Sequence, residues 1–178
     1  MKLRSLLLFL VIMAGVGNAF AQTDGENQKQ SEIDSGFEWL SLQDAQLQAQ
    51  QSGKKILLFG YAEWCGYCRK TRRETFPDST VLAAIEQYYH PVQLDTESMD
   101  EITYNGQSLK KAELAQYLRI TSYPTHFFIS SQGEILGAQP GFLEPEIYTP
   151  LLNFVGSDAY QNQTFDEYFE SLEEGEKE

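Results

Sequence analysis

Two cysteines with redox spacing are the residues of this chain best suited to chemistry. Cys65 and Cys68 are its only cysteines, and Gly66 and Tyr67 lie between them. A C-x-x-C pair between a buried strand and a helix is typical of thiol–disulfide exchange. At a helix N-terminus, free N–H groups and the positive dipole end favour a thiolate, which is the nucleophile. We therefore expect Cys65 to attack a disulfide, and Cys68, one turn later and more buried, to resolve it.

The neighbouring residues modulate the expected reactivity. Gly66 leaves the first helical turn uncluttered, whereas Tyr67 is neutral and adds no cation beside the thiolate. Arg69 and Lys70 follow in the helix and supply some positive field. A strong oxidant stabilises its reduced form, commonly with a histidine between the cysteines, so this pair is expected to act as a reductant.

Two other interpretations of the cysteine pair stay open. The pair could form a purely structural disulfide, which would make the chain a non-catalytic binding module. It could also be half of a zinc site, but the two histidines, His90 and His126, have no ligand spacing to each other. We expect His90 at the surface and His126 packed beside a sheet, with no metal and no cofactor other than the Cys65–Cys68 disulfide.

The elements that must position the cysteines follow from the apolar pattern. The run Ile56-Leu57-Leu58-Phe59 predicts a buried central strand, and a helix from about Cys65 to Phe76 should end at Pro77. Ser98 to Gln107 is read as a loop or small hairpin, and Ser108 as the cap of the following helix. Further strands are predicted over 91–95, 125–130 and 134–138, and further helices over 42–51, 81–89, 109–118, 145–155 and 164–172. Helices on both faces of the strands predict a three-layer α/β/α sandwich with a central mixed sheet.

The two ends of the chain are predicted to lie outside the main domain. Residues 1–21 have a basic start, a short apolar run and an Ala-Phe-Ala triplet, which together predict a signal peptide and export. The polar residues 22–36 are predicted to be a disordered leader, and residues 157–178 a short C-terminal helical extension with an acidic tail. The expected location is therefore periplasmic and soluble, where disulfides persist.

Composition restricts the number of domains and the kinds of partner. The chain has 178 residues, of which 42% are hydrophobic, and this suits one core rather than two. It carries 26 acidic and 13 basic residues, a formal net charge of −13. Such a protein repels phosphate backbones, so nucleic acid is not an expected partner. We expect a monomer.

A second motif, Tyr123-Pro124-Thr125, precedes the predicted β-hairpin. Together with the segment Ala62 to Cys68 it resembles the thioredoxin family over residues 37–156. The resemblance implies a cis Tyr123–Pro124 bond facing the sulfurs, with Tyr123 backbone groups presented to an extended substrate. The expected substrate-contacting residues are Trp64, Gly66, Tyr67, Tyr123 and Pro124.

A finer resemblance is to exported, SoxW-like or thioredoxin-related proteins. The features that carry it are Thr75-Phe76-Pro77-Asp78, Tyr104-Asn105-Gly106, Pro140-Gly141-Phe142 and the Tyr160 to Leu172 extension. It implies a periplasmic reductant of protein disulfides, recharged by a membrane electron donor of the CcdA or DsbD type. The implied clients are apocytochrome c or sulfur-oxidation proteins.

The sequence departs from the family at two places. Cytosolic thioredoxins carry a buried acid six residues before the first cysteine, and this chain has Phe59 there. Glu63 is the nearest acidic residue that could replace it. The Gly66-Tyr67 pair occurs in periplasmic disulfide isomerases, which makes an isomerase the alternative function, although residues 22–36 are too few for their dimerisation domain.

Overall fold

The computed structural model describes residues 36–175. The predicted signal peptide, all but the last residue of the predicted leader, and the last three residues of the tail lie outside this range. Within residues 36–175, no helix has the length and apolar character needed to cross a membrane.

The described chain alternates helices and strands. In order, the elements are α1 (Leu42–Ser52), β1 (Lys55–Tyr61), α2 (Gly66–Lys70), a π-helical turn (Thr71–Thr75), α3 (Ser79–Tyr88), β2 (Tyr89–Asp95), β3 (Glu101–Tyr104), β4 (Gln107–Lys110), α4 (Lys111–Tyr117), β5 (Thr125–Ile129), β6 (Ile135–Pro140), α5 (Pro145–Gly156), a 3-10 turn (Ala159–Gln161) and α6 (Phe165–Gly175).

A mixed four-stranded sheet forms the middle layer, with the strand order β2-β1-β5-β6. Strand β1 runs parallel to β2 and antiparallel to β5, and β5 pairs antiparallel with β6. Successive side chains of β1 point to opposite faces, so Leu57 and Phe59 enter one core while Ile56 and Leu58 enter the other. This confirms the prediction of a central strand buried on both faces.

Helices cover the sheet on both sides. Phe76, Ile85 and Leu152 bring the helical turn after α2, helix α3 and helix α5 onto the Phe59 face. Residues of α1 and α4, including Leu42 and Leu114, cover the other face. The predicted three-layer α/β/α sandwich is therefore confirmed.

Local capping determines where the helices begin and end, and α3 begins two residues before the predicted start at position 81. The Ser41 side chain accepts a hydrogen bond from the Asp44 N–H at the start of α1. Gly53 ends that helix with φ 77°, a left-handed conformation in which glycine carries no Cβ penalty. Asp78 caps α3 by accepting from the N–H groups of Thr80 and Val81.

The prediction that Ser108 caps a helix over 109–118 is wrong. Ser108 lies in β4, the second strand of a hairpin formed with β3, and the helix begins at Lys111. The hairpin turn is the predicted Asn105-Gly106 pair. Tyr104 is buried and its hydroxyl donates to the Gly133 carbonyl at 2.9 Å, so a tertiary contact extends the hairpin beyond the expected loop.

The C-terminal extension packs against the last core helix. The Phe154 ring of α5 contacts Phe165 and Tyr168 of α6, with ring centroids 5.5 and 5.4 Å apart. Tyr160 of the 3-10 turn completes this aromatic cluster. Leu172, nearer the end of α6, remains 41% exposed.

Candidate active site

The two cysteines form a disulfide at the start of α2, with Cα atoms 5.3 Å apart. Cys65 is the N-cap of α2, and its sulfur accepts a hydrogen bond from the Cys68 N–H at 3.0 Å. Both residues are buried, with 4% and 2% of their surfaces exposed. An N–H group aimed at the Cys65 sulfur would favour its thiolate once the bond is reduced.

The chain around the disulfide is held by short local bonds. The Cys65 N–H donates to the Ala62 carbonyl, which joins the helix start to the end of β1. The predicted single helix over 65–76 is interrupted, because the backbone changes to a π-helical turn at Thr71. The Thr71 hydroxyl donates to the Tyr67 carbonyl, and the Phe76 N–H donates to the Thr71 carbonyl.

The Tyr123–Pro124 bond is cis, as the resemblance implies. The Pro124 carbonyl accepts from the Gly141 N–H at 2.8 Å, and the Thr125 hydroxyl donates to the Ser122 carbonyl. Tyr123 packs against the core cluster that contains both cysteines. The structure therefore brings the second sequence motif to the first.

Trp64 lies exposed beside the disulfide and is held in place by two loops. It is 64% exposed, and its indole N–H donates to the Glu97 carboxylate at 3.0 Å. Its ring meets the Tyr123 ring edge to face, with centroids 5.6 Å apart. The Tyr123 hydroxyl in turn bonds the Thr96 hydroxyl at 2.9 Å. Sequence reasoning missed Glu97, which stands in a polar loop with no motif.

A second aromatic group flanks the disulfide on the Tyr67 side. Tyr67 is also 64% exposed and stacks on Phe142, with centroids 6.3 Å apart. The Lys70 ammonium lies 3.9 Å from the centroid of the Phe142 ring and pairs with Glu144. The hydrogen bond that the Lys70 ammonium donates to Glu144 raises the pKa of Lys70. Phe142 appeared in the sequence only as part of a turn.

Position 59, where cytosolic thioredoxins carry a buried acid, is occupied by the phenylalanine ring of Phe59. Phe59 is fully buried, and Glu63 lies exposed, with its backbone carbonyl bound by the Arg69 guanidinium at 2.9 Å. Glu63 therefore does not supply a buried carboxylate behind the disulfide. Arg69 folds back across the helix start, near Gly66.

Two other polar side chains border Phe59. His126 is its partner across the β1–β5 pair, fully buried, with Nδ1 2.8 Å from the Tyr148 hydroxyl. On the other side, the Arg72 guanidinium lies 5.5 Å from the Phe59 ring centroid and 4.1 Å from that of Tyr61. Neither residue is expected from sequence to face this position.

The half-buried His90 also has a partner, because its Nε2 lies 2.9 Å from the Ser52 hydroxyl, away from the cysteines. Among residues 36–175, no cluster of three or more histidine, cysteine, aspartate or glutamate side chains is arranged to hold a metal.

The fold and the disulfide at the start of α2 are typical of the thioredoxin class, and sequence comparison agrees with this. The sequence profile of the thioredoxin-like domain family matches residues 42–156. The chain belongs to this family.

Its relatives include the thiol:disulfide interchange protein DsbD of several bacteria. The match to DsbD of Colwellia psychrerythraea is 27% identical over 150 residues, which are 80% of this chain and 23% of that protein. The match to DsbD of Vibrio vulnificus is 30% identical over 114 residues, or 62% of this chain and 18% of that protein. The chain thus spans about a quarter or less of these relatives.

Solved structures show the same fold. A thioredoxin-fold protein from Helicobacter pylori superposes with a TM-score of 0.62 at 18% identity, covering 84% of this chain and 92% of that one. A thioredoxin from Thermus thermophilus gives a TM-score of 0.54 at 22% identity, covering 66% and 85%.

Proposed function

We propose that this protein is a thiol–disulfide oxidoreductase that reduces protein disulfides in the periplasm. The observation that carries the proposal is the Cys65–Cys68 disulfide at the start of α2, with the Cys65 sulfur accepting a backbone N–H. The names of the DsbD relatives support the same chemistry.

The reaction needs only the two sulfurs. The Cys65 thiolate attacks one sulfur of a client disulfide, forms a mixed disulfide and displaces the other client sulfur as a thiolate, which takes up a proton. The Cys68 thiolate then attacks the Cys65 sulfur and releases the second client sulfur. The client gains two electrons and two protons, and the enzyme is left as the Cys65–Cys68 disulfide.

The client is proposed to lie across the exposed aromatic rings. Trp64 and Tyr67 are each the chain neighbour of a disulfide cysteine and each 64% exposed, where a protein surface can reach them. Gly66 leaves room between them, and Tyr123 with Pro124 supplies the backbone edge for an extended segment. Exposed aromatic rings supply large contact areas, and aromatic residues are enriched in recognition surfaces.

The compartment and the partners are part of the same proposal. The predicted signal peptide over 1–21 favours export, and an oxidising compartment requires that the enzyme be recharged. A membrane electron donor of the CcdA or DsbD type would supply the electrons, and apocytochrome c or sulfur-oxidation proteins are the candidate clients.

Trapping tests the order of the two cysteines. In Cys68→Ser, mixed disulfides with a reducible protein such as insulin should accumulate at Cys65, because no second thiol releases them. In Cys65→Ser they should not form, because Cys68 lies inside the helix and not at its N-cap, where the thiolate is favoured. Non-reducing gels and peptide mass spectrometry read out the adducts. Preferential trapping at Cys68 would mean that Cys68, and not Cys65, is the attacking cysteine. If neither cysteine forms adducts, the disulfide is structural and the protein is a binding module.

The direction of electron flow is tested by equilibrating the mature protein with glutathione buffers. We expect the reduction potential of the Cys65–Cys68 pair to lie at or below about −180 mV, since Tyr67 adds no cation between the cysteines to stabilise the thiolate. Arg69, folded back across the helix start, offsets part of this effect. A potential near about −120 mV would make the protein an oxidant. Repair of scrambled ribonuclease, beyond simple reduction, would favour the alternative of an isomerase.

A further inference from the structure

Arg72 is a cation placed behind the disulfide rather than on the client-facing side. It follows Cys68 by four residues, a spacing that puts two side chains on the same face of a helix. The Cys68 side chain lies in the core cluster that contains Phe59, and the Arg72 guanidinium lies over the Phe59 and Tyr61 rings. Both side chains therefore occupy the layer between α2 and β1.

This guanidinium is held without a carboxylate. Its Nη2 donates to the Gln93 side chain at 3.0 Å, and its Nε is buried with no hydrogen-bond partner among residues 36–175. Within the same range no aspartate or glutamate lies within ion-pair distance of it. The guanidinium also hydrogen-bonds to the Tyr61 side chain, on which the more distant carboxylates of Glu63 and Asp95 act with the opposite sign. A half-buried positive charge that is not neutralised by a carboxylate acts strongly on a neighbouring anion.

The next residue provides a natural comparison. The Arg73 side chain is 71% exposed and its guanidinium pairs with Glu74 at 2.9 Å. The charges of these two adjacent arginines are equal, but only that of Arg72 is directed between the helix and the sheet. A difference between their effects would therefore report on location and not on net charge.

We propose that Arg72 is a positioning residue for the resolving step, whose fixed charge stabilises the Cys68 thiolate as it attacks the mixed disulfide. This inference rests on the proposed function. Because position 59 is a phenylalanine, no carboxylate at that position can take the Cys68 proton, which leaves to solvent or to the displaced client thiolate. The Cys68 electron pair forms the new bond to the Cys65 sulfur, and the bond from that sulfur to the client breaks.

The test compares Arg72→Met, Arg72→Lys and Arg73→Met in full-length protein. In a Cys65→Ser background, the carbon-13 shift of the Cys68 Cβ reports the thiolate fraction at a fixed pH. Arg72→Met should lower that fraction about tenfold, a change that corresponds to about 1.4 kcal/mol of charge interaction. Arg72→Lys keeps the charge and should recover most of the fraction, and Arg73→Met should leave it unchanged.

A second readout follows the resolving step itself. With both cysteines present, glutathione release from the Cys65 mixed disulfide should slow about tenfold in Arg72→Met and remain unchanged in Arg73→Met. If Arg72→Met does not fold, Arg72→Gln removes the same charge and keeps an amide for Gln93. If Arg72→Met and Arg73→Met change the thiolate fraction and the release rate equally, or if neither changes them, the role of Arg72 is overturned while the proposed function stands. A wild-type disulfide that does not exchange with glutathione would overturn the proposed function together with it.

Discussion

At the scale of single residues, the most unusual environment is that of His126. Its ring is fully buried between Phe59 and Tyr148, with ring centroids 5.4 and 4.8 Å away. Its Nε2 makes no well-oriented hydrogen bond among residues 36–175. Burial lowers the pKa of the ring, and the nearby Gly141 backbone counteracts part of this lowering. Burial lowers the pKa of His126 from 6.5 to about 4, so the ring is neutral at pH 7.

This environment predicts a loss of stability in mild acid. The unfolded chain binds a proton at His126 near pH 6.5 and the folded chain only near pH 4, so the free energy of unfolding falls as the pH drops through that window. Between pH 7 and pH 5 the loss should be about 2 kcal/mol. Urea unfolding at both pH values measures it, and His126→Gln should remove most of the difference.

The control for this prediction is His90→Gln. His90 is the chain's second histidine and is only partly buried, so its removal should leave most of the pH dependence in place. Carboxylates with lowered pKa values, such as Asp78, withdraw their stabilisation at a lower pH and do not imitate the effect. An unchanged slope in His126→Gln would show that another group is responsible.

At the scale of elements, helix ends place the residues that pack behind the disulfide. Helix α3 follows the π-helical turn after only a few residues, and its Val81 and Ile85 enter the same core as Cys68. Asp78 determines where α3 begins, since its carboxylate accepts the Thr80 N–H at 2.8 Å and the Val81 N–H at 3.3 Å. The pKa of Asp78 is lowered, mainly because its carboxylate accepts the Thr80 hydroxyl at 2.6 Å and further because it accepts these two N–H groups.

Loss of this cap should therefore be measurable. Asp78→Ala leaves two N–H groups of α3 without their acceptor and should lower the free energy of unfolding by about 1 kcal/mol. Asp78→Asn keeps a capping oxygen and should cost much less. Chemical denaturation of the three proteins at pH 7 gives the comparison. Equal costs for alanine and asparagine would mean that the charge, and not the cap, stabilises the helix start.

At the scale of the whole molecule, the layers converge at the end of α5, far along the chain from the cysteines. The Lys55 ammonium at the start of β1 bonds the Gly156 carbonyl at 3.0 Å and pairs with Asp158 at 2.9 Å. Gly156 also lets α3 approach closely, because a Cβ placed there would lie 2.5 Å from the Cγ atom of Tyr88. One glycine thus joins β1, α3 and α5.

A side chain added at Gly156 should destabilise the fold, because it would enter the close contact between α5 and α3. In Gly156→Ala the added methyl meets the base of the Tyr88 side chain, which cannot swing away as a flexible chain end could. The free energy of unfolding, measured by chemical denaturation, should fall by about 1–3 kcal/mol, which is typical of overpacking, although alanine has the better helix propensity. Gly137→Ala, where no atom lies within 4 Å of the new Cβ, is the matched control. A stabilised Gly156→Ala protein would contradict the close approach.

Local pattern was sufficient to predict most of the framework and the two redox cysteines. The apolar run of β1 and the C-x-x-C spacing each depend on residues that lie close together in the chain. The predicted start of α4 was wrong, because it depends on a distant contact. Ser108 has the residue type of a helix cap, but the docking of Tyr104 on Gly133, 29 residues away, keeps it in a hairpin.

The surroundings of the disulfide, by contrast, depend on contacts between distant parts of the chain. Glu97 reaches Trp64 across 33 residues, and Lys70 reaches Glu144 across 74. Arg72 and His126 both border Phe59 only because the fold brings the π-helical turn and strand β5 against β1. No sequence window contains these pairs, since side-chain partners are selected by the packing of layers and not by spacing along a helix or strand.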